Sequence, residues 1–253
     1  MSSFSVRSMS CLSMILILAA AFAVPGCGDD DTEKRAICPV SDSCPESGSK
    51  RYTYKELSQM WWQWALGISA SKSPILDEVG TSCSEQQPSD TVWFLAGSAG
   101  KPVKRTCTIP AGRGLFFPVL AAYCTACKED EDCEARGFST TTCPGETQDD
   151  DTVLKCVKDY GFPDSAQELA VTVDGKPVDN LKGYRTEAGA FEISGPTDPK
   201  ELMFPCTMGK RKAAADGVYV FIEPLSAGEH TLTFKGKNPS GFAVEVEYKL
   251  TVE

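Results

Sequence analysis

A single histidine limits the chemistry open to this chain of 253 residues. With His230 as its one imidazole, the chain loses most metal-hydrolase designs and any site built on two imidazoles. A Ser-His-acid triad would draw on it, but no Gly-x-Ser-x-Gly elbow supplies the serine. The sequence therefore favours a structural histidine whose ring nitrogens bond a neighbouring loop. Ser69-Ala70-Ser71-Lys72 matches Ser-x-x-Lys, in which a lysine helps activate a serine. Its Lys-Thr-Gly and Ser-Asp-Asn companions are missing, and here the motif closes a helix instead of opening one. Cys124-x-x-Cys127 has the spacing of a redox pair or of half a zinc site. No second such pair follows, so structural disulfides are expected. Glu129 to Asp132 and Asp149 to Asp151 are acidic runs. Calcium takes about six to eight oxygens, but the glycine and terminal glutamate of a calcium-binding loop are absent, so both runs read as solvated surface. No metal and no other cofactor is expected.

Trp61, Trp62, Trp64 and Trp93 lie within 33 residues. Exposed tryptophans stack on sugar rings through their apolar faces. Trp61 and Trp64 share a helical face with Leu57 and Ile68 and are assigned to the core. Trp62 points elsewhere and is the candidate exposed aromatic, although packing against a sheet is the favoured role. Asp77 and Glu223 sit beside apolar residues and could pair as glycosidase carboxylates. Capping and bonding loops is the preferred role for both. Trp62, Arg113 and His230 are the candidate ligand contacts.

The N-terminus carries a different kind of signal. Arg7 is the only charged residue before Asp29, and an apolar run from Leu12 to Val24 follows it. That run is too short to span a bilayer as a helix, which needs roughly 20 residues. It describes a secretion signal over residues 1–26. Val24-Pro25-Gly26-Cys27 resembles the lipobox of bacterial lipoproteins, so Cys27 is the expected lipidation site. Of the 12 cysteines, Cys11 leaves with the signal and Cys27 takes the lipid. Ten remain: Cys38, Cys44, Cys83, Cys107, Cys124, Cys127, Cys133, Cys143, Cys156 and Cys206. An even set in an exported chain suits a framework of bridges. Residues 27–50 are polar and read as a solvated tether, with a loop that Cys38 and Cys44 could close on itself. Gly28 in place of Asp resembles an outer-membrane address.

The elements that must hold these residues are mostly strands. Thr53 and Glu56 form a capping box ahead of a helix ending near residue 68. Short β-branched or apolar runs follow at 92–96, 106–109, 115–120, 169–173, 191–194, 218–222 and 230–235. Asp174-Gly175 marks a tight hairpin. The last strand alternates cleanly from Ala243 to Val252. Residues 124–160 hold five cysteines and many acids, and read as a disulfide-stapled insertion. The fold class is mainly β: a single β-sandwich or jelly-roll-like domain over residues 51–253, with one N-terminal amphipathic helix and that disulfide-rich insertion. Formal net charge is −10 and becomes −11 once Arg7 leaves with the signal, so nucleic acid is not an expected partner. Lys210-Arg211-Lys212, the only basic cluster, reads as a solvated loop.

Several segments together carry a family resemblance. They are Trp61-Trp62-Gln63-Trp64-Ala65-Leu66, Pro74-Ile75-Leu76-Asp77, Val92-Trp93-Phe94-Leu95-Ala96-Gly97 and Cys107-Thr108-Ile109-Pro110-Ala111-Gly112 running into Leu115-Phe116-Phe117-Pro118. Asp216-Gly217 and Pro224 to Phe234 complete the set. They resemble a group of secreted bacterial proteins and lipoproteins in which myxobacteria are rich. The resemblance implies a bridge between Cys83 and Cys107, and it implies no activity and no catalytic residues. The expectation is an exported, membrane-anchored lipoprotein of the cell envelope with a binding or envelope-structural role and a glycan or protein ligand. The alternative is a hydrolase that attacks polysaccharide or cell-wall material with carboxylates.

Overall fold

Thr53 and Glu56 start the first helix, as their spacing requires. Glu56 N–H donates to the Thr53 hydroxyl at 3.2 Å, and Thr53 N–H donates to the Glu56 carboxylate at 2.7 Å. This is the reciprocal capping box, and α1 runs Tyr54–Gly67 behind it. The computed structural model describes residues 52–125, 149–159, 165–204 and 206–253, all within one unit of the chain. The signal, Cys27, the tether and Cys38, Cys44, Cys127, Cys133 and Cys143 lie outside the described residues.

The described chain is mainly β. Its strands are β1 (Val92–Phe94), β2 (Val103–Ile109), β3 (Gly114–Thr125), β4 (Gln167–Val173), β5 (Lys176–Pro177), β6 (Arg185–Gly195), β7 (Gly209–Ile222), β8 (Gly228–Lys237) and β9 (Ala243–Val252). They form a four-stranded sheet in the order β1-β3-β7-β6 and a five-stranded sheet in the order β2-β9-β8-β4-β5. Pairing is antiparallel except β1 with β3 and β2 with β9. The two sheets pack face to face. Phe117, Val218 and Val220 from the first meet Leu232, Phe234 and Tyr248 from the second, and the Phe117 and Phe234 rings stack at 4.6 Å. Asp174 and Gly175, both at positive φ, turn β4 into β5 in two residues.

The first sheet is covered on its other face by helix. Residues alternate along β3 and β7: Phe117 and Val220 face the second sheet, while Phe116 and Tyr219 face α1. Leu57, Trp61, Trp64 and Ile68 of the α1 stripe are all buried there. Trp62 is also buried, at 5% exposed, so it packs in the favoured role and is not the exposed aromatic that it was a candidate for. A second side of α1 is covered because Tyr219 and Tyr123 reach it. The Trp62 indole N–H donates to the Tyr219 hydroxyl at 2.7 Å, and its ring lies 4.7 Å from that of Tyr123. Gln59 and Gln63 donate to the carbonyls of Ala188 and Glu192, so α1 also satisfies acceptors of the edge strand β6.

Two expectations change. The stretch read as a disulfide-stapled insertion ends in a second helix, α2 (Asp150–Asp159). Val153, Cys156 and Val157 bury against Ala214 of β7, and a Cys124–Cys156 bridge fastens the helix to β3. Three buried residues give too weak a periodicity to read alone; a covalent tie and a docking surface of alanines supply the rest. Lys210-Arg211-Lys212 is not a loop but the start of β7, paired with Ile193, Glu192 and Ser194 of β6. Arg211 is buried, and Lys212 reaches Asp150 of α2 at 3.0 Å. Ladder pairing and an acidic helix override a composition that suggests solvent.

The Cys83–Cys107 bridge is present as the resemblance implied. It holds a loop against the edge of β2, where Thr106 N–H donates to the Val79 carbonyl at 2.9 Å. Gly80 makes that approach at φ +100°, and a β-carbon there would sit 2.2 Å from the Thr106 carbonyl oxygen. Gly80→Ala is therefore expected to cost about 2–3 kcal/mol in denaturant unfolding. A loss below about 0.5 kcal/mol, the range of ordinary surface changes, would refute this packing of the loop.

Candidate functional site

Among the described residues a cavity opens where a strand stops early. β1 pairs with β3 only from Val92 to Phe94, opposite Gly114 to Phe116. The stretch of β3 from Pro118 to Thr125 therefore has β7 on one side and no strand on the other among the described residues. Pro118 has no N–H to leave unpaired on the open edge, and a register shift follows it. The chain leaving β1 turns away through Gly97, Ser98 and Ala99, and a space of about 500 Å³ opens between that turn and β3. Trp61 and Trp62 of α1 form its floor. Phe204 and the β8–β9 turn, through Asn238, Ser240 and Phe242, form its far wall. Its size is that of a small-molecule site.

A buried guanidinium holds the near wall. Arg105 of β2 is 2% exposed. Its Nε donates to the Asp77 carbonyl at 2.7 Å, and Nη2 to the Ile75 carbonyl at 3.0 Å. Nη1 faces the carbonyls of Ala96 and Gly97 and the Tyr248 hydroxyl, all within 2.9 Å. Ile75 and Gly97 are cavity residues, so this one side chain fixes two loops of the wall from behind. The loop carrying Ile75 is further wound around Asp77, whose carboxylate accepts from the N–H groups of Val79, Gly80 and Ser82. Burial alone would push the Asp77 carboxyl up, but those three donors and the Arg105 charge outweigh it and hold it below its usual range.

The residues singled out in the sequence do not converge. Trp62 reaches the cavity. Arg113 stands elsewhere, with its guanidinium 5.4 Å from the centre of the Trp93 ring and Nη1 donating to the Ser89 carbonyl. His230 lies on β8 and bonds on both sides. Nδ1 is 2.9 Å from the Asp174 carboxylate, and Nε2 is 2.8 Å from the Ser226 carbonyl. Facing a carbonyl, Nε2 must donate, so it is not poised to take a proton from the Ser226 hydroxyl 3.5 Å away. Ser226, His230 and Asp174 thus have the composition of a triad without its geometry. Asp77 is committed to its own loop. Glu223 follows β7, where burial raises its carboxyl above the usual range. Ser69 and Lys72 of the Ser-x-x-Lys match meet through a turn in which Lys72 N–H donates to the Ser69 carbonyl at 2.9 Å, and the intervening Ser71 donates to the Glu201 carboxylate at 2.7 Å. Asp149 caps α2 by accepting from Thr152 N–H. Among the described residues no cluster of three or more metal-ligating side chains occurs.

Sequence reasoning missed the cavity. Gly97, Ser98, Ala99, Ala121 and Ala122 line it, and small residues carry no local signature of a void. No protein-family model, curated protein or solved structure matches this chain. The site therefore has to be read from its own chemistry. The indole N–H of Trp61 is spent on the Leu95 carbonyl and that of Trp62 on the Tyr219 hydroxyl, so both rings offer the cavity only carbon.

Two substitutions test the frame. Arg105→Met strips the donors from four buried or half-buried carbonyls and is expected to cost on the order of 3–5 kcal/mol in chemical unfolding. A cost near zero would show that the guanidinium does not organise the wall. Asp77 adds a pH dependence of known sign. A carboxyl held low in the folded state contributes stability above its unfolded value, about pH 4, and loses it as pH falls through the folded value. The penalty of Asp77→Asn should accordingly be larger at pH 6 than near pH 3, measured by urea midpoints at both; a penalty that grows on acidification contradicts the assignment.

Proposed function

We propose that this protein is an exported, lipid-anchored binding protein whose ligand occupies the cavity floored by Trp61 and Trp62. The cavity carries the reading. It is large enough for a small molecule, and aromatic side chains line its floor and far wall. Among the described residues no acidic, basic or imidazole side chain lines it, so it offers no general acid, base or nucleophile of that kind. Of the two carboxylates considered for a hydrolase, Asp77 is engaged by three backbone N–H groups and neither Asp77 nor Glu223 lines the cavity, which disfavours hydrolysis of polysaccharide or cell-wall material there.

Export is supported by the apolar run ending at Val24 and by the cysteines. With Cys27 lipidated and Cys11 removed, ten cysteines can pair, and five of them, Cys83, Cys107, Cys124, Cys156 and Cys206, are disulfide-bonded. Bridges of this kind persist in oxidising compartments outside the cytoplasm. A lipid at Cys27 would tether the domain to the envelope through the polar stretch after it.

Two measurements test these parts separately. Metabolic palmitate labelling should tag the full-length chain and fail in Cys27→Ser; label retained by the variant removes the anchor. Trp61 and Trp62 make occupation visible as a change in tryptophan emission. Screening the full-length chain against small molecules should yield saturable changes that Ala99→Phe, at the exposed rim, suppresses. Turnover of a glycan or ester substrate that a single carboxylate substitution abolishes would overturn the non-enzymatic reading.

A further inference from the structure

We infer that the cavity selects an uncharged, predominantly hydrocarbon small molecule and discriminates against both anions and sugars. The inference rests on the cavity being a binding site, and three features of its wall narrow the ligand.

The first is charge. Among the described residues no acidic or basic side chain contributes to the lining. Arg105, a buried cation that bonds two cavity-wall loops, has its donors directed at the carbonyls of Ile75, Asp77, Ala96 and Gly97 and at the Tyr248 hydroxyl. A carboxylate or phosphate entering the space would give up its water and meet no counter-charge, a transfer that costs far more than burying carbon. The protein as a whole is acidic, at −10, which adds repulsion for an anion at low salt.

The second is hydrogen-bonding capacity. A sugar presents a hydroxyl on nearly every carbon, and each must find a partner when it leaves water. The polar side chains of the lining include Ser98, Thr125, Asn238 and Ser240. Three of these already bond within the protein. Ser240 donates to the Asn238 side-chain oxygen at 2.8 Å, and the Ser98 hydroxyl accepts from Glu245 N–H. The described lining lacks the carboxylates and guanidinium groups that bind paired hydroxyls. Tryptophan on the floor therefore lacks the charged partners that the platform of a sugar site works with, and the polar side chains of the described lining, Ser98, Tyr123, Thr125, Asn238 and Ser240, are few against the hydroxyls of a sugar.

The third is the aromatic surface itself. The Trp61 and Trp62 rings meet edge to face at 4.9 Å, and Trp62, Tyr123 and Phe204 continue in contact at 4.7 and 5.8 Å. The indole N–H groups are spent, so the floor is carbon. Ala121 and Gly97 leave room above it. Apolar area removed from water on both partners is the available driving force, about 25 cal/mol per Å².

The test uses the full-length chain carrying Cys27→Ser, which keeps every cavity residue and removes the lipid. N-phenyl-1-naphthylamine, neutral and apolar, is the fluorescent probe. Ala99→Phe and Ala121→Phe in the same background subtract probe held anywhere else, and circular dichroism shows that each still folds. The expected result is saturable probe binding that both variants lose. 1-Dodecanol should displace the probe at a concentration at least tenfold lower than dodecanoate at pH 8, and cellobiose and chitobiose should not displace it. Displacement by dodecanoate as good as that by dodecanol, or by either sugar, overturns the ligand class and leaves the binding site standing. The ligand class also falls, and the site stands, if the probe fails to bind but a sugar changes tryptophan emission in a manner that Ala99→Phe abolishes. No cavity-dependent signal from probe, alcohol, anion or sugar overturns the binding site and the ligand class together.

Discussion

Two neighbouring strands that are apolar on both faces cannot be stable with water on either. β3 and β7 are such a pair: burial is nearly continuous from Gly114 to Leu120 and from Ala213 to Ile222. Everything around them follows from that requirement. The second sheet covers one face and supplies the inter-sheet core. Helix α1 covers the other, with Tyr54, Trp61, Trp62 and Trp64 set against Phe116 and Tyr219. Helix α2 covers the remaining end, where Ala213, Ala214 and Ala215 keep the strand surface low enough for a helix to approach. The outer face of the second sheet has no such cover among the described residues, and its strands alternate accordingly: Val244, Val246, Tyr248 and Leu250 inward, Glu245, Glu247 and Lys249 toward solvent or its margin.

The cavity is a local failure of that same coverage. β1 leaves the sheet after three residues, so the upper part of β3 meets loops in place of a strand. Loops carry backbone polar groups that an interior must satisfy. Here the satisfaction is concentrated in Arg105 and Asp77. One supplies donors to carbonyls of two loops; the other accepts from three N–H groups of the first. Tyr248 is the hinge between core and wall. Its hydroxyl accepts from Arg105 and donates to the Ala96 carbonyl, while its ring belongs to the inter-sheet core. Burial holds that hydroxyl above its ordinary range, so it stays a neutral donor. Because the polar groups are paired behind the wall, the inner surface of the cavity is left apolar, and its recognition properties follow from where the hydrogen bonds have already gone.

Covalent bridges act at the places where packing alone is thin. Cys83–Cys107 closes the Asp77 loop onto β2, and Cys124–Cys156 fixes a ten-residue helix that buries only three side chains. A helix that short is marginal in water without tertiary support. Among the described residues the acidic side chains lie mostly at exposed or half-buried positions, with Asp216 buried against Arg185, and the basic run at Lys210 to Lys212 is spent on sheet pairing and on Asp150.

Much of the architecture was legible because its signals are local. The capping box, the Leu57-Trp61-Trp64-Ile68 stripe, the Asp174-Gly175 turn and the alternation of β9 each depend on neighbours within a few residues, and the mainly β class followed from their sum. Elements whose signal is not local were misread. α2 needs its bridge, and the start of β7 needs β6. The candidate site was less legible than the fold. Trp62 was picked for its position on the helix, while Gly97, Ala99, Ala121 and Arg105 were not singled out as site residues. Sequence by itself determined that the chain is mainly β, where the capped helix and the alternating last strand lie, and that one histidine is all the chain can offer. Only the tertiary structure decided where β3 lies uncovered and which polar groups are consumed around it, because a cavity is the absence of a neighbour, and no residue encodes an absence on its own.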